Sequence, residues 1–174
     1  MSSKLCMPRS RLKSRRCWWS VWIVNPLLLG LATWQLYRFV RRAFGEATAR
    51  AVTLLFALSP FVLVLGATQM NHTAAMAFTL AALAELAAWD SGEQGHRLLH
   101  AVGIGLAIGA IALVRPLDAA LVALPIGVFQ VIRVRVEPRR IASIAVQCVA
   151  GAVPIAFLLW VNVQTTGAPL LFAV

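Results

Sequence analysis

Residues 98–133 read LLHAVGIGLAIGAIALVRPLDAALVALPIGVFQVIR, apolar almost throughout, with Arg115 and Asp118 breaking the run in its interior. A single helix of this length would extend about 50 Å at about 1.5 Å per residue. The hydrocarbon core of a bilayer is about 30 Å thick. One span is too short to use the stretch, so it predicts a hairpin of two short transmembrane helices with Arg115-Pro116-Leu117-Asp118 at its tip. The local chemistry agrees. Pro116 disfavours helix at Arg115 and suits the first position of a new helix. Asp118 then falls in that helix's first turn, where the dipole favours an acid.

The same reasoning extends outward. Residues 51–84 carry no Lys, Arg, Asp or Glu, and their length again suits two spans, with Thr68-Gln69-Met70-Asn71-His72-Thr73 as the turn. Ser59-Pro60 predicts a kink before that turn. The alanine-rich segment after it permits close helix approach in lipid, as does Gly105-x-x-x-Gly109 in the hairpin's first helix. Cys148, in the last apolar segment, is expected to pack inside a span. Glu85 is expected to snorkel outward from its helix, with a proton relay as the alternative.

Six spans result, at about 18–37, 51–67, 74–89, 98–114, 116–132 and 141–161, an all-α polytopic bundle. Trp18, Trp19 and Trp22 mark an interfacial belt at the start of the first, and the regular helix is expected to begin at Asn25-Pro26. Composition fits: 174 residues, 60% hydrophobic and 13% charged, with mean hydropathy +0.80. A net charge of +10 might be taken for nucleic-acid binding. The Lys and Arg residues instead cluster at 4–16, 38–42 and 133–140, flanking apolar runs as the positive-inside rule requires. No nucleic-acid partner is expected, and the three scattered cysteines make neither a disulfide framework nor a metal site.

Loops 38–50, 90–97 and 133–140 are therefore expected on the cytoplasmic face. The turns at 68–73 and 115–118 and the tail after Asn162 are expected on the opposite one. The basic segment 1–20 conflicts with this, because it and the basic 38–50 loop lie at opposite ends of one span. Either the first segment does not cross, or residues 1–20 are not the native start; the transmembrane domain is 21–174. The outer face gathers Gln69, Asn71 and His72; Arg115 and Asp118; and Asn162, Gln164, Thr165 and Thr166. Arg115 is the sharpest candidate, because its fork of donors suits a phosphate. Its other readings are a pair with Asp118 or an anchor at the headgroups. His72 reads alternatively as an interfacial turn residue. No nucleophile, metal cluster or phosphate-binding glycine loop is visible, so no cofactor is expected and the catalytic residues are unassigned.

Four stretches resemble, in content and in order, the membrane region of GT-C glycosyltransferases of the protein O-mannosyltransferase and aminoarabinose transferase type. They are NPLLLGLATWQLYRFVRRAFG (25–45), TARAVTLLFALSPFVLVLGATQMNHTAAMAFTLAALAELAAW (48–89), GIGLAIGAIALVRPLDAALVALPIG (103–127) and WVNVQTTGAPLL (160–171). The resemblance covers about residues 22–172. It implies a multi-pass enzyme of the plasma membrane, the inner membrane in a bacterium, that moves a sugar from a polyprenyl-phosphate carrier to an acceptor on the outer face. From their place on the outer face, Arg115, Asp118, Asn71, His72 and Gln69 are expected to bind substrate, and the resemblance implies membrane lipid and the lipid-linked donor as partners. In that family the catalytic acid sits in a long outer loop after the first span. The chain begins downstream of such a loop, residues 1–20 have no counterpart, and an internal piece without transfer activity is expected. The rival reading is a non-catalytic membrane subunit, whose small-residue helices would find helix partners, or a small transporter. Transporters place charges and broken helices at mid-membrane, whereas the polar residues here sit at helix ends.

Overall fold

A computed structural model of the protein describes residues 10–68, 71–92 and 94–167. Seven α-helices follow one another: α1 (Ser10–Phe44), α2 (Glu46–Leu58), α3 (Pro60–Ala67), α4 (His72–Ser91), α5 (Gln94–Val114), α6 (Pro116–Val136) and α7 (Ile141–Thr166). A single 3-10 turn, Pro138–Arg140, precedes α7. The fold is all-α, as the sequence implies. Among the described residues, three stretches are long and apolar enough to cross a membrane: His96–Val114, Pro116–Val136 and Pro138–Thr165. The pair α2 and α3, bent by 57° at Ser59-Pro60, makes a fourth if taken as one span. The sequence count of six also includes α1 and α4. Neither is in that group among the described residues; α1 carries Arg38, Arg41 and Arg42 near its end, and α4 carries Glu85 and Asp90.

Several segments expected to be loops are helical. α1 runs without interruption through Asn25-Pro26 to Phe44, so the helix does not begin there. Proline is tolerated in membrane helices where neighbouring groups satisfy the freed backbone. The expected 38–50 loop is a sharp corner at Gly45, whose φ of 91° is a conformation that side chains disfavour. Tyr37 and Arg50 both bond Glu46 Oε1, at 2.7 and 3.0 Å, and so fix the corner. α4 continues to Ser91 and α6 to Val136, shortening the next two loops. Arg133 and Arg135 lie in the last turn of α6, where the dipole favours cations.

The packing order is a row. α2 and α4 flank α1, α5 lies on α4, and α7 lies on α5, while α6 leans on α5 and scarcely touches α4. Small residues allow this. Ala77, Ala82, Ala84 and Ala88 of α4 are buried, with Trp89, Ile104 and Ile126 filling the space between α4, α5 and α6. At Gly105 an added Cβ would collide with the Gln147 carbonyl and the Gly151 amide, so α5 and α7 touch backbone to backbone there. The Gly105-x-x-x-Gly109 spacing thus serves packing, as read. Gln130 Nε2 donates to Gln147 Oε1 at 2.6 Å and joins α6 to α7. Leu54, Leu55, Leu58 and Phe61 of α2 and α3, Leu121, Leu124 and Val128 of α6, and Val149, Val153 and Trp160 of α7 are exposed. An apolar exterior of this extent suits lipid. Cys148 is exposed on α7, contrary to the expectation that it packs inside, because α7 meets its neighbours only along the small-residue face.

Gly105→Val is expected to lower stability by about 1–3 kcal/mol through overpacking. Gly127→Ala, where nothing lies within 4 Å, should leave stability unchanged or raised. Thermal unfolding in detergent separates the two; equal midpoints would contradict the backbone contact.

Candidate functional site

The hairpin tips come together as their sequences suggest. Arg115 has extended backbone and sits between α5 and α6, Pro116 opens α6, and Asp118 lies in its first turn. Arg115 Nη1 lies 3.0 Å from Asp118 Oδ2. The same nitrogen lies 2.9 Å from His72 Nδ1, at the start of α4. Arginine only donates, so His72 Nδ1 accepts and its hydrogen sits on Nε2. Two hairpins distant in sequence are thus fastened at one end of the bundle. Arg115 is 41% exposed at its side chain, with Nε and Nη2 free to face the surroundings. The N-termini of α4 and α6 open at this end, and both dipoles favour an anion.

Asn71 immediately precedes α4 and makes no capping hydrogen bond, and Gln69 lies outside the described residues. Of the tail group, Asn162 is buried, and Thr165 Oγ1 bonds the Val161 and Asn162 carbonyls of its own helix. Gln164 is exposed. The Thr166 side chain and those of Trp18, Trp19 and Trp22 lie outside the described residues. The site the structure assembles is therefore Arg115, His72 and Asp118, with Asn71 beside it.

The turn behind this site is held by side chains. Thr68 and Thr73 both donate their hydroxyls to the Leu65 carbonyl at 2.9 Å, and Asn25 donates its amide to the Thr68 carbonyl. The Leu65 carbonyl of α3 and the Thr68 carbonyl just beyond it thereby gain partners, as a helix end near lipid requires.

Sequence reasoning missed two further clusters. Glu85 neither snorkels outward nor stands alone. Its Oε1 accepts from Arg38 Nη1 at 2.8 Å, and its Oε2 lies 2.7 Å from His100 Nδ1. The carboxylate accepts, so His100 carries a hydrogen on Nδ1. A Cβ at Gly103 would press on Glu85 Cγ at 3.0 Å, so glycine there makes room for the acid. The second cluster is a clamp at the arginine-rich end. Asp90 receives Arg133 at 2.6 Å and Arg140 at 3.0 Å, while Glu137 receives Arg140 at 2.7 Å and Arg97 at 3.0 Å. Arg140 also stacks over Trp89, whose indole nitrogen donates to Ser143 Oγ at 2.8 Å. The ends of α4, α5, α6 and α7 are joined in one network. The only sequence signal was the abundance of arginine beside rare acids.

The family described as dolichyl-phosphate-mannose-protein mannosyltransferase matches residues 14–161. That range includes α2 to α6 and most of α1 and α7; it starts within the basic first segment and ends before most of the 160–171 stretch. No curated protein and no solved structure matches the chain.

Hydrogen bonds from Arg140 and then Arg97 hold the Glu137 carboxyl below the usual carboxylate range. A depressed acid contributes stability above its unfolded value and loses it as pH falls through the folded one. Glu137→Gln should therefore be less stable than the parent at neutral pH, with the difference closing only below the ordinary carboxylate range. A difference that is constant across pH, measured by thermal unfolding, would contradict the clamp.

Proposed function

The chain belongs to the dolichyl-phosphate-mannose-protein mannosyltransferase family, and from that premise we propose that its Arg115–His72–Asp118 cluster binds the phosphate of a polyprenyl-phosphate sugar donor at the outer face. Membership implies a membrane glycosyltransferase that takes its sugar from such a donor. Sugar transfer leaves the carrier with a phosphate whose charge grows as the sugar–oxygen bond breaks. A fixed cation aimed at that oxygen stabilises the transition state more than the ground state.

The observation that carries the reading is the placement of Arg115. It stands at the end of two apolar helices, where a lipid phosphate would lie with its chain in the bilayer. Asp118 and His72 both engage Nη1, which orients the guanidinium and leaves its other nitrogens for a phosphate oxygen. Arginine can meet that oxygen pair with two parallel bonds, which lysine cannot. The positive ends of α4 and α6 add to the same potential. Asp118 is the one carboxylate at this end among the described residues, and its engagement with Arg115 gives it a positioning role. These residues supply the donor side of the reaction.

The outer placement rests on charge. Arg38, Arg41, Arg42, Arg50, Arg97, Arg133, Arg135, Arg139 and Arg140 lie toward the opposite end, which the positive-inside rule puts in the cytoplasm. The plasma membrane is the location this orientation fits, with several passes.

Arg115→Ala should weaken binding of farnesyl phosphate to the detergent-solubilised protein by about tenfold or more, the worth of a charge-assisted hydrogen bond. Arg115→Lys should retain part of the affinity, because the charge stays while the fork is lost. Unchanged affinity in both variants removes Arg115 from the donor site.

A further inference from the structure

At the arginine-rich end, away from Arg115, the bundle is open on one side. α4 forms the floor of a trough of about 570 Å3 whose walls are α1 and α6. The walls do not close over it, since α6 leans on α5 and barely reaches α4. Along its length the lining is apolar, with Phe39 of α1, Leu83 and Leu86 of α4, and Val122 and Phe129 of α6. At one end the character changes to Arg42, Asp90 and Arg133. We propose that this trough is a binding site for an anionic phospholipid of the leaflet at the arginine-rich end. One acyl chain lies along α4, and the phosphate meets Arg42 and Arg133.

Two observations select this occupant. The first is length. The floor runs from Asp90 back to Thr79, about 16 Å at about 1.5 Å per residue. That is close to half of a hydrocarbon core of about 30 Å. A chain from one leaflet fits this depth, whereas a spanning helix of a second copy would need the full thickness. The second is charge. Arg42 is exposed and makes no hydrogen bond or ion pair among the described residues. Arg133 gives one nitrogen to Asp90 and keeps the others, its guanidinium lying over Phe129, 5.1 Å from the ring centre. Asp90 is shared with Arg140, so the mouth of the trough is net positive. A basic pocket between helices on the cytoplasmic side is a recurrent way of holding anionic headgroups. The site is separate from the donor cluster and does not depend on it.

Native mass spectrometry of the whole chain, released from detergent in the presence of dioleoylphosphatidylglycerol or dioleoylphosphatidylcholine, tests this. The parent should retain one phosphatidylglycerol in preference to phosphatidylcholine. Arg42→Gln, an exposed change that leaves the packing intact, should reduce that retention about tenfold. Ala87→Phe, which fills the floor, should abolish it. Equal retention of both lipids by the parent, or an Arg42→Gln protein that retains phosphatidylglycerol as well as the parent, overturns the proposal. A lipid-free dimer overturns it too, by assigning the trough to a second copy.

Discussion

A carboxylate largely shielded among packed helices needs a partner, and Glu85 has two. Removing its charge from water is costly unless the compensation is well aligned. Arg38 and His100 provide it at 2.8 and 2.7 Å from opposite oxygens. The three residues belong to α1, α4 and α5, neighbours in the row of helices, so the pairing sets how these helices register against each other. Gly103 clears the passage for the acid, and Gln35 steadies Arg38 with a hydrogen bond of 2.8 Å. Trp34 covers the guanidinium, its ring centre 5.0 Å away. Once α1, α4 and α5 are fixed, the tips at His72 and Arg115 are carried to the same end. The clamp of Asp90 and Glu137 is carried to the other.

The two ends therefore have different characters for physical reasons. At the arginine-rich end, excess cations share few acids, leaving Arg42 without a carboxylate. At the other end Arg115 is oriented by one acid and one histidine, beside two helix N-termini. An exposed guanidinium in a positive field suits a phosphate on a lipid tail. Breaks in the helices fall where their loose backbone groups find partners. The Leu65 carbonyl near the end of α3 is met by Thr68 and Thr73, and the Thr68 carbonyl beyond it by Asn25; the kink at Ser59-Pro60 lets α3 return over α1.

What could be read from the sequence was what local chemistry dictates. Arg115-Pro116-Leu117-Asp118 announces its own geometry through pre-proline restriction, helix initiation and the dipole, and the Arg115–Asp118 pair followed. Gly105 and Gly109 were legible because close packing in lipid needs small residues at that spacing. The partners of Glu85 were not, since Arg38 is 47 residues distant and carried the look of a loop charge. Arginines read as loop residues make α1 and α6 look shorter than they are, whereas Arg41, Arg42, Arg133 and Arg135 lie in last helical turns, where the dipole favours cations. Asn25-Pro26 suggests a helix start because proline suits a first turn; only the fold shows the helix running through it, with the Asn25 amide bonded to the Thr68 carbonyl. Of the candidate site, Arg115, Asp118 and His72 came together, because each sits at a hairpin tip that chain length alone locates.

The central claim is that the tip bearing Arg115 and the end bearing Arg133 and Arg140 face opposite sides of the membrane. In a background with Cys6, Cys17 and Cys148 replaced by serine, single cysteines can be placed at Leu117 and at Val136, both largely exposed. Intact cells are then treated with a membrane-impermeant maleimide. The account predicts labelling of Leu117→Cys from outside, and labelling of Val136→Cys only after the cells are opened. External labelling of Val136→Cys with Leu117→Cys protected would contradict it.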